Sequence, residues 1–240
     1  MNGGLSVIIP VLNEEDIVEA NTAALLAHLE TLGRPYEVLL ISNGSTDRTC
    51  LLGEKLAREH AAVRFFEIPE RGVGRAFAMG AMAARHDLIV SVDMDLSIDL
   101  GFISRALDLL ADYQIVVGSK KMGGQKRVLW RKAGSTAFIL TVRLLLGLPF
   151  EDYSIAAKAY RREVVLAHLD QIDHGTSYVL DILYHALAEG GRAVETPVYC
   201  EDYRTSRFNL IHEALYRFRN VFRLWWRYSL RRGPGGRPTP

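Results

Sequence analysis

Cysteine is scarce in this 240-residue sequence: only Cys50 and Cys200 are present, and neither belongs to a Cys-x-x-Cys motif. The sequence therefore argues against a disulfide framework of the kind that stabilises small secreted domains, and against a zinc site built on paired cysteines. Isolated thiols are typical of proteins in a reducing compartment. We therefore expect a cytoplasmic protein.

Long hydrophobic runs are lacking as well. The longest, residues 138–150, contains Arg143 and is shorter than the ~20 apolar residues that cross a bilayer. The apolar run at residues 5–12 has the length of a strand and lacks the basic start of a secretory signal. The sequence therefore predicts no transmembrane segment.

A large excess of charge is also absent, because 29 basic residues face 28 acidic ones. This balance argues against a nucleic-acid partner. The distribution is uneven, however, since the chain from Tyr203 onward contains nine arginines and a single acidic residue, Glu213. With 49% hydrophobic residues, the chain is long enough for a globular domain with a buried core.

Apolar runs of strand length alternate with helical segments in the first part of the chain. We expect strands at residues 5–10, 36–41, 63–68 and 88–92, with helices between them at about 13–32, 48–60 and 75–85. A later strand at 115–118 precedes a basic, glycine-containing loop at 119–131 and a helix that ends near Leu146. This alternation predicts an α/β fold with a mostly parallel sheet flanked by helices.

Polar residues follow each of the first four strands. They are Asn13 and Glu14, then residues 43–47, residues 71–75, and finally the pair Asp93 and Asp95. Ligands of open α/β sheets bind at the carboxyl ends of the strands. We therefore expect these four loops to form one site.

Asp93 and Asp95 are separated by one residue at the end of an apolar run. Strand alternation would direct both side chains to the same face of the sheet. Carboxylate oxygens suit Mg²⁺ or Mn²⁺, which proteins commonly hold by one or two carboxylates while substrate phosphates supply further ligands. An isolated Asp-x-Asp is more often a pair of solvated loop aspartates than a metal site, so the neighbouring motifs must decide.

Three motifs in this order resemble those of glycosyltransferase family 2, which has the Rossmann-like GT-A fold. Pro10, Asn13 and Glu14 match its Pro-x-x-Asn-Glu, residues 43–49 resemble its Asp-Asp-Gly-Ser-x-Asp-x-Thr, and Asp93-Met94-Asp95 resembles its metal motif. The resemblance covers about residues 5–207. It implies a GT-A catalytic domain at residues 1–207. From the pattern and composition of the remaining chain we expect a helix at 208–230 and a disordered Gly/Pro/Arg tail at 231–240.

Within that family the sequence is most similar to the dolichyl- and polyprenyl-phosphate mannose and glucose synthases. Residues 72–77, 93–99 and 152–162 carry this similarity. It implies an inverting transfer of a hexose from a nucleotide sugar of the GDP-mannose or UDP-glucose type to a polyprenyl phosphate. An ionised phosphate acceptor needs no general base, so its positioning by cations becomes the main task.

The resemblance also implies roles for individual residues. The expected catalytic residues are Asp95, Asp152, Lys120 and Arg131, and the expected metal ligands are Asp93 and Asp95. The expected donor-binding residues are Pro10, Asn13, Glu14, Asn43, Ser45, Gly72, Gly74, Asp93, Arg204 and Arg207. Lys120, Lys121, Arg127 and Arg131 are placed like the acceptor-phosphate arginines of the family.

Three departures from the family pattern concern substrate choice. Ser42-Asn43 stands where the family has Asp-Asp, so the carboxylate that typically reads the nucleobase is missing. Ala156 and Ala157 replace a glycine and a phenylalanine, and the donor-phosphate motif is shortened to residues 203–207. The sequence therefore leaves the nucleobase open.

Residues 208–230 have an amphipathic pattern. The apolar positions are Ile211, Leu215, Phe218, Phe222 and Trp225, and the opposite side contains Glu213, Arg217, Asn220, Arg227 and Arg231. Aromatic bulk beside basic residues is typical of helices that lie on an anionic membrane. We expect peripheral contact at the inner face of the membrane; a terminal helix packed on the domain is the alternative.

Three other functions remain open from the sequence. A family 2 enzyme with a hydroxyl acceptor would need a base, for which Asp152 or Glu151 is the best candidate. A catalytically inactive GT-A binding subunit would also fit the missing nucleobase carboxylate. A nucleotidyltransferase fits less well, because residues 11–14 lack the glycine-rich basic loop expected there.

Overall fold

The computed structural model describes residues 3–123, 129–200 and 210–229, with only the backbone described at residues 121, 123, 129–133, 210–212, 228 and 229. The strands are β1 (Leu5–Val11), β2 (Tyr36–Asn43), β3 (Val63–Ile68), β4 (Leu88–Ser91), β5 (Ile115–Ser119), β6 (Lys158–Arg161) and β7 (Ala193–Pro197). The helices are α1 (Val18–Glu30), α2 (Thr49–Glu59), α3 (Val73–Ala83), α4 (Gly101–Leu109), α5 (Lys120–Gly123), α6 (Leu129–Leu146), α7 (Arg162–His168), α8 (Tyr178–Ala188) and α9 (Leu210–Ser229). A 3-10 helix covers Leu169–Gln171.

The strands form one sheet in the order β3-β2-β1-β4-β6-β5-β7. β1 pairs in parallel with β2 and β4, β2 with β3, and β5 with β7. β6 runs antiparallel to both of its neighbours, β4 and β5. The predicted mostly parallel α/β sheet is therefore confirmed.

Helices cover both faces of the sheet, so successive strand residues enter two different cores. In β1, Ile8 belongs to a cluster that includes Phe77 of α3, whereas Val7 and Ile9 belong to a second cluster that includes Phe102 of α4. A strand buried on both sides has a continuous apolar sequence rather than an alternating one. This explains why the first strands were recognisable as uninterrupted apolar runs.

Several predicted boundaries differ from the structure. The first helix was expected from residue 13 but begins at Val18: the backbone of Asn13 has φ +54°, which a right-handed helix excludes, and residues 15–17 form a turn closed by a bond from the Ile17 N–H to the Glu14 carbonyl (3.1 Å). The segment expected as a loop at residues 119–131 contains α5 and the first turn of α6. β4 ends at Ser91, one residue before the expected end.

The C-terminal helix α9 packs on α6, and its buried face includes a residue that the sequence pattern placed on the polar side. Val221 and Leu224 are buried, and the rings of Phe218 and Phe138 lie 5.5 Å apart in an edge-to-face contact. Asn220, expected on the polar side, is only 1% exposed. The predicted polar side is therefore not fully exposed, while in the predicted apolar stripe Phe218 contacts α6 and Leu215 and Phe222 remain exposed.

Candidate active site

The loops after β1 and β2 meet at the carboxyl edge of the sheet. The backbone N–H of Asn13 donates to Ser45 Oγ (3.2 Å), and the Asn13 side-chain oxygen accepts from the N–H of Thr46 (2.7 Å). The N–H of Glu14 donates to Thr49 Oγ1 (2.8 Å). These hydrogen bonds, together with one from the N–H of Glu15 to the Asp47 carboxylate (3.2 Å) and an exposed ion pair of Glu15 with Arg48 (3.0 Å), join the two loops in which donor-binding residues were expected. Pro10, also expected there, lies in β1 opposite Ile41 of β2.

Asn43 links three parts of this edge. Its side-chain N–H₂ donates to the carbonyl of Val11 at the end of β1 (3.0 Å), and its side-chain oxygen accepts from the N–H of Gly72 (3.4 Å). The residue is 5% exposed. A carboxylate could not donate the first of these bonds. The geometry therefore gives Asn43 a positioning role at a place where the family has an acid.

Gly72 and Gly74 allow the start of α3 to approach the loop at residues 173–175. A Cβ on Gly74 would lie 2.1 Å from the carbonyl oxygen of Asp173, and one on Gly72 would lie 2.6 Å from that of His174. The N–H of Arg75 donates to the same His174 carbonyl (3.2 Å). These expected donor-binding glycines are thus required for packing, which sets the start of α3 at the edge of the sheet.

Asp93 and Asp95 lie in the turn after β4 rather than on the strand. The prediction that strand alternation aligns them was therefore wrong; a turn in which Leu96 has φ +46° brings them together. The N–H of Ser97 donates to Asp95 Oδ1 (3.0 Å), and the backbone of Ala156 hydrogen-bonds the Asp93 carboxylate. The surface of Asp93 is exposed to solvent, yet many protein atoms lie close around its carboxylate.

The electrostatics of this acidic pair fit a divalent cation. Desolvation and then the charge of Asp95 raise the pKa of Asp93 to about 6, against the opposing charges of Lys120 and Lys158. Among the described residues neither carboxylate has an ion-pair partner, and no cluster of three or more His, Cys, Asp or Glu side chains could hold a metal. Two carboxylates would therefore need further ligands from a bound diphosphate.

Asp152 is buried in a turn in which one of its carboxylate oxygens accepts three hydrogen bonds. Asp152 Oδ1 accepts from the N–H and the hydroxyl of Ser154 (both 2.8 Å) and from the N–H of Ile155 (3.2 Å). Its other oxygen accepts from the N–H of Lys120 (3.4 Å). Burial raises the pKa of Asp152, but Lys158, Lys120 and the Ser154 bonds outweigh burial and lower it overall. Asp152 is therefore a weak base.

Lys158 was not predicted as a site residue, although it lies between the two groups of carboxylates. It has no exposed surface, and its ammonium donates to the carbonyl of Ile155 (2.7 Å). Desolvation lowers the pKa of Lys158 to about 8, while Asp152, Glu195 and Asp93 act in the opposite direction. Its position in the 152–162 motif, where the lipid-phosphate synthases that the sequence resembles have arginine, is a signal that could have identified it.

Two further acids hold the loop that contains Asp152. Glu195 on β7 accepts hydrogen bonds from the N–H of Glu151 (2.7 Å) and from that of Asp152 (2.9 Å). The Glu151 carboxylate, the other candidate base, pairs with Arg143 of α6. Glu195 was also missed by the sequence interpretation, since nothing in the motifs singled out β7.

The remaining expected cations are only partly covered by the structure. Arg127, Arg204 and Arg207 lie outside the described residues. Lys121 lies in α5 and Arg131 in the first turn of α6, where the backbone alone is described. The structure therefore brings Asp93, Asp95, Lys120 and Asp152 together and leaves the placement of these other side chains as a prediction.

Comparison with known proteins gives one family and one fold. The family model described as "Glycosyl transferase family 2" matches residues 6–169. Glycosyltransferase AglD of Haloferax volcanii is 28% identical over 235 residues, which are 95% of this chain and 38% of that protein. The undecaprenyl-phosphate 4-deoxy-4-formamido-L-arabinose transferase of Pseudomonas aeruginosa (strain LESB58) is 33% identical over 171 residues, 69% of this chain and 49% of that protein.

The corresponding enzyme of Pectobacterium carotovorum (strain PC1) is 28% identical, and the match covers 63% of its length. The chain thus spans less than two thirds of the length of these curated relatives. Among solved structures, glucosyl-3-phosphoglycerate synthase from Mycobacterium tuberculosis, in complex with Mn²⁺, UDP and phosphoglyceric acid, superposes with a TM-score of 0.68 at 18% identity. The match covers 91% of this chain and 78% of that chain. At this identity the likeness concerns the fold alone.

Proposed function

Because the chain belongs to glycosyltransferase family 2, we propose that it transfers a hexose from a nucleotide sugar of the GDP-mannose or UDP-glucose type to a polyprenyl phosphate, with inversion at the anomeric carbon. The family expected from the motifs is confirmed by the match over residues 6–169, and the α/β fold by the superposition on solved structures. The lipid phosphate acceptor is supported by relatives that are named as undecaprenyl-phosphate sugar transferases.

The observation that carries the proposal is the acidic pair after β4, set opposite the cations Lys120 and Lys158. We propose that Asp93 and Asp95 hold Mg²⁺ or Mn²⁺ together with the donor diphosphate. When bound, the ion supplies positive charge to the leaving nucleoside diphosphate as the glycosidic bond breaks. The loops joined by Asn13, Ser45 and Asn43 would hold the nucleoside, with Glu14 at the same edge.

A phosphate acceptor agrees with the chemistry of Asp152 better than a hydroxyl acceptor does. A hydroxyl must lose its proton during attack, which calls for a base with a pKa near the working pH. Asp152 has a lowered pKa and one oxygen already occupied by three donors. In our proposal Asp152 orients Lys120 instead, and Lys120, Lys121, Arg127 and Arg131 attract the acceptor phosphate.

A lipid acceptor requires access to a membrane surface. In the part of the chain that the structure describes, no helix is long and apolar enough to cross a bilayer. One side of α9 instead exposes Leu215 (65%), Phe222 (51%) and Trp226 (63%), with Arg219 and Arg223 exposed beside them. We propose that residues 208–230 contact the inner face of the membrane and that residues 1–207 form the catalytic domain.

The proposal is tested with a panel of GDP- and UDP-sugars, undecaprenyl phosphate in anionic vesicles, and Mn²⁺ or Mg²⁺, with lipid products read by mass spectrometry. We expect one donor to give a glycosylated lipid phosphate, and EDTA to abolish the product.

Matched vesicles that contain the neutral polyprenol serve as the control for a hydroxyl acceptor. Product on the polyprenol and none on the phosphate would replace the proposal with the hydroxyl-acceptor function. Nucleotide binding without any product from either lipid would favour the inactive binding subunit.

A further inference from the structure

Lys158 occupies a central position between the two charged loops of the site. In the register of the sheet it lies opposite Ser91 of β4 and Val117 of β5. Asp93 follows Ser91 by two residues, and Lys120 follows Val117 by three. Lys158 therefore lies where both loops leave the sheet, beneath the groups proposed to contact the substrates.

The ammonium of Lys158 is held by the loop at residues 151–155. Its hydrogen bond goes to the carbonyl of Ile155 (2.7 Å), and Asp152 is the strongest of the charges that favour its ionised form. A buried ammonium is unfavourable unless hydrogen bonds and opposite charge compensate for lost water. The attraction is mutual: the Ile155 carbonyl and the Asp152 carboxylate stabilise the ammonium, and the ammonium stabilises the position of that carbonyl and the ionised form of Asp152.

This loop connects Lys158 to the acceptor side of the site. From β7, Glu195 accepts the N–H groups of Glu151 (2.7 Å) and Asp152 (2.9 Å), so the loop is held from a second direction. Asp152 in turn accepts the N–H of Lys120 (3.4 Å). A path of hydrogen bonds therefore runs from the Lys158 ammonium through Ile155 to Asp152, and from Asp152 to the backbone of Lys120.

We propose that Lys158 is a positioning residue for the acceptor: its buried ammonium fixes the 151–155 loop, and through Asp152 it sets the place of Lys120, without itself touching a substrate. The acceptor part of this inference rests on the proposed function. The nucleotide side is built from the loops after β1 and β2, with which Lys158 shares no hydrogen bond in the described residues. Loss of the ammonium is therefore expected to affect the two substrates unequally.

The kinetic test compares Lys158→Met with Lys158→Arg, since Met keeps the length without the charge and Arg keeps the charge. With undecaprenyl phosphate as the varied substrate, we expect Met to raise the acceptor KM at least tenfold with a smaller change in kcat. Arg, the residue of the family motif, should stay within about threefold of the unmodified protein. The affinity for Mn²⁺ with UDP or GDP should change less than the acceptor KM in both variants; in the Met variant some change is expected, because the Lys158 charge also acts on Asp93.

A second readout does not depend on turnover. Hydrogen exchange followed by mass spectrometry should show faster exchange at residues 152–155 in the Met variant than in the Arg variant, with no change at residues 43–49. Unchanged exchange in the loop, or a loss of nucleotide affinity as large as the loss of acceptor affinity, would overturn the assignment. If the unmodified protein transfers nothing to undecaprenyl phosphate, the proposed function fails, and the exchange data alone decide whether Lys158 holds the loop.

Discussion

The two halves of the candidate site are built with different chemistry. Around β1 and β2, the buried Asn43 amide joins Val11 and Gly72 through neutral hydrogen bonds. The charged contacts of these loops, which involve Glu15, Asp47 and Arg48, lie at partly exposed or exposed positions. Around β4, β6 and β5, the corresponding contacts involve Asp93, Asp152 and Lys158. Hydrogen bonds between neutral groups depend on shape and donor placement, whereas buried charges depend on each other.

This contrast matches the demands of the two proposed substrates. A nucleoside presents mostly neutral edges, which need fixed donors and acceptors. A departing diphosphate and an incoming phosphate bring several negative charges. Their stabilisation needs charged groups that the protein holds in place before the substrates bind. We call the part around β1 and β2 the neutral half of the site, and the part around β4, β5 and β6 the charged half. The comparison predicts that removing a charge lowers turnover or stability in the charged half, and that introducing a charge does so in the neutral half.

The largest effect is expected from Asp95→Asn in the charged half. The amide keeps an oxygen for the Ser97 N–H but loses a carboxylate ligand, so metal-dependent turnover should fall by about 10² to 10³ or more. Stability should stay equal or rise, because the repulsion that raises the pKa of Asp93 is lifted. Initial rates across a Mn²⁺ series and thermal unfolding measure the two effects.

Asp16→Asn provides the matched control, since Asp16 is an exposed acid in the loop after β1. It should leave both the rate and the unfolding temperature unchanged. If Asp95→Asn kept full turnover, or if EDTA left the unmodified protein fully active, the charged half would not be a metal site.

A smaller effect is expected in the pH dependence of stability at Lys158. Its pKa in the folded protein is lowered to about 8, from an ordinary value of 10.5. The folded state therefore holds this proton less tightly than the unfolded state, because the loop and its carboxylates only partly compensate for the lost water, so the free energy of unfolding is lower when Lys158 is protonated. As pH rises from about 8 to 10.5, the unmodified protein should gain up to about 3 kcal/mol relative to Lys158→Met.

Urea unfolding of both proteins at several pH values measures this difference. An Asn43→Ala variant in the neutral half serves as the comparison, and its difference from the unmodified protein should not vary with pH. A flat difference for Lys158→Met as well would mean that the lysine is not a buried ammonium.

The sequence was sufficient for the half of the fold that contains long, separated apolar runs. β1 to β3 and the helices between them were predicted within a few residues. β1 and β2 are buried on both faces, and β3, a mostly half-buried edge strand, still has four apolar residues out of six. β6 was not predicted, since Lys158–Arg161 is four residues long and carries two cations. α8 is buried on nearly all sides, so no amphipathic period marked it.

For the site, the motifs located Asp93, Asp95 and Asp152, but they did not predict which side chains surround these carboxylates. A lysine is normally exposed, and only the tertiary placement of Asp152 and Glu195 makes the burial of Lys158 tolerable. The same limit applied to α9. Its period predicted a helix, but which side faces the domain depended on Phe138 of α6.

The smallest effect, and the one that most sharpens the comparison, is expected from Asn43→Asp. This change introduces a charge into the neutral half and removes the donor to the Val11 carbonyl. A buried carboxylate facing a carbonyl is unfavourable, so unfolding free energy at neutral pH should fall by about 1–3 kcal/mol. The loss should shrink in mild acid, where a protonated carboxyl can again donate. Because the family has an acid at this place, the variant also restores its motif. Should unfolding be unaffected while the preference between UDP and GDP changes, Asn43 would be a nucleobase contact, and the neutral half would read the donor directly.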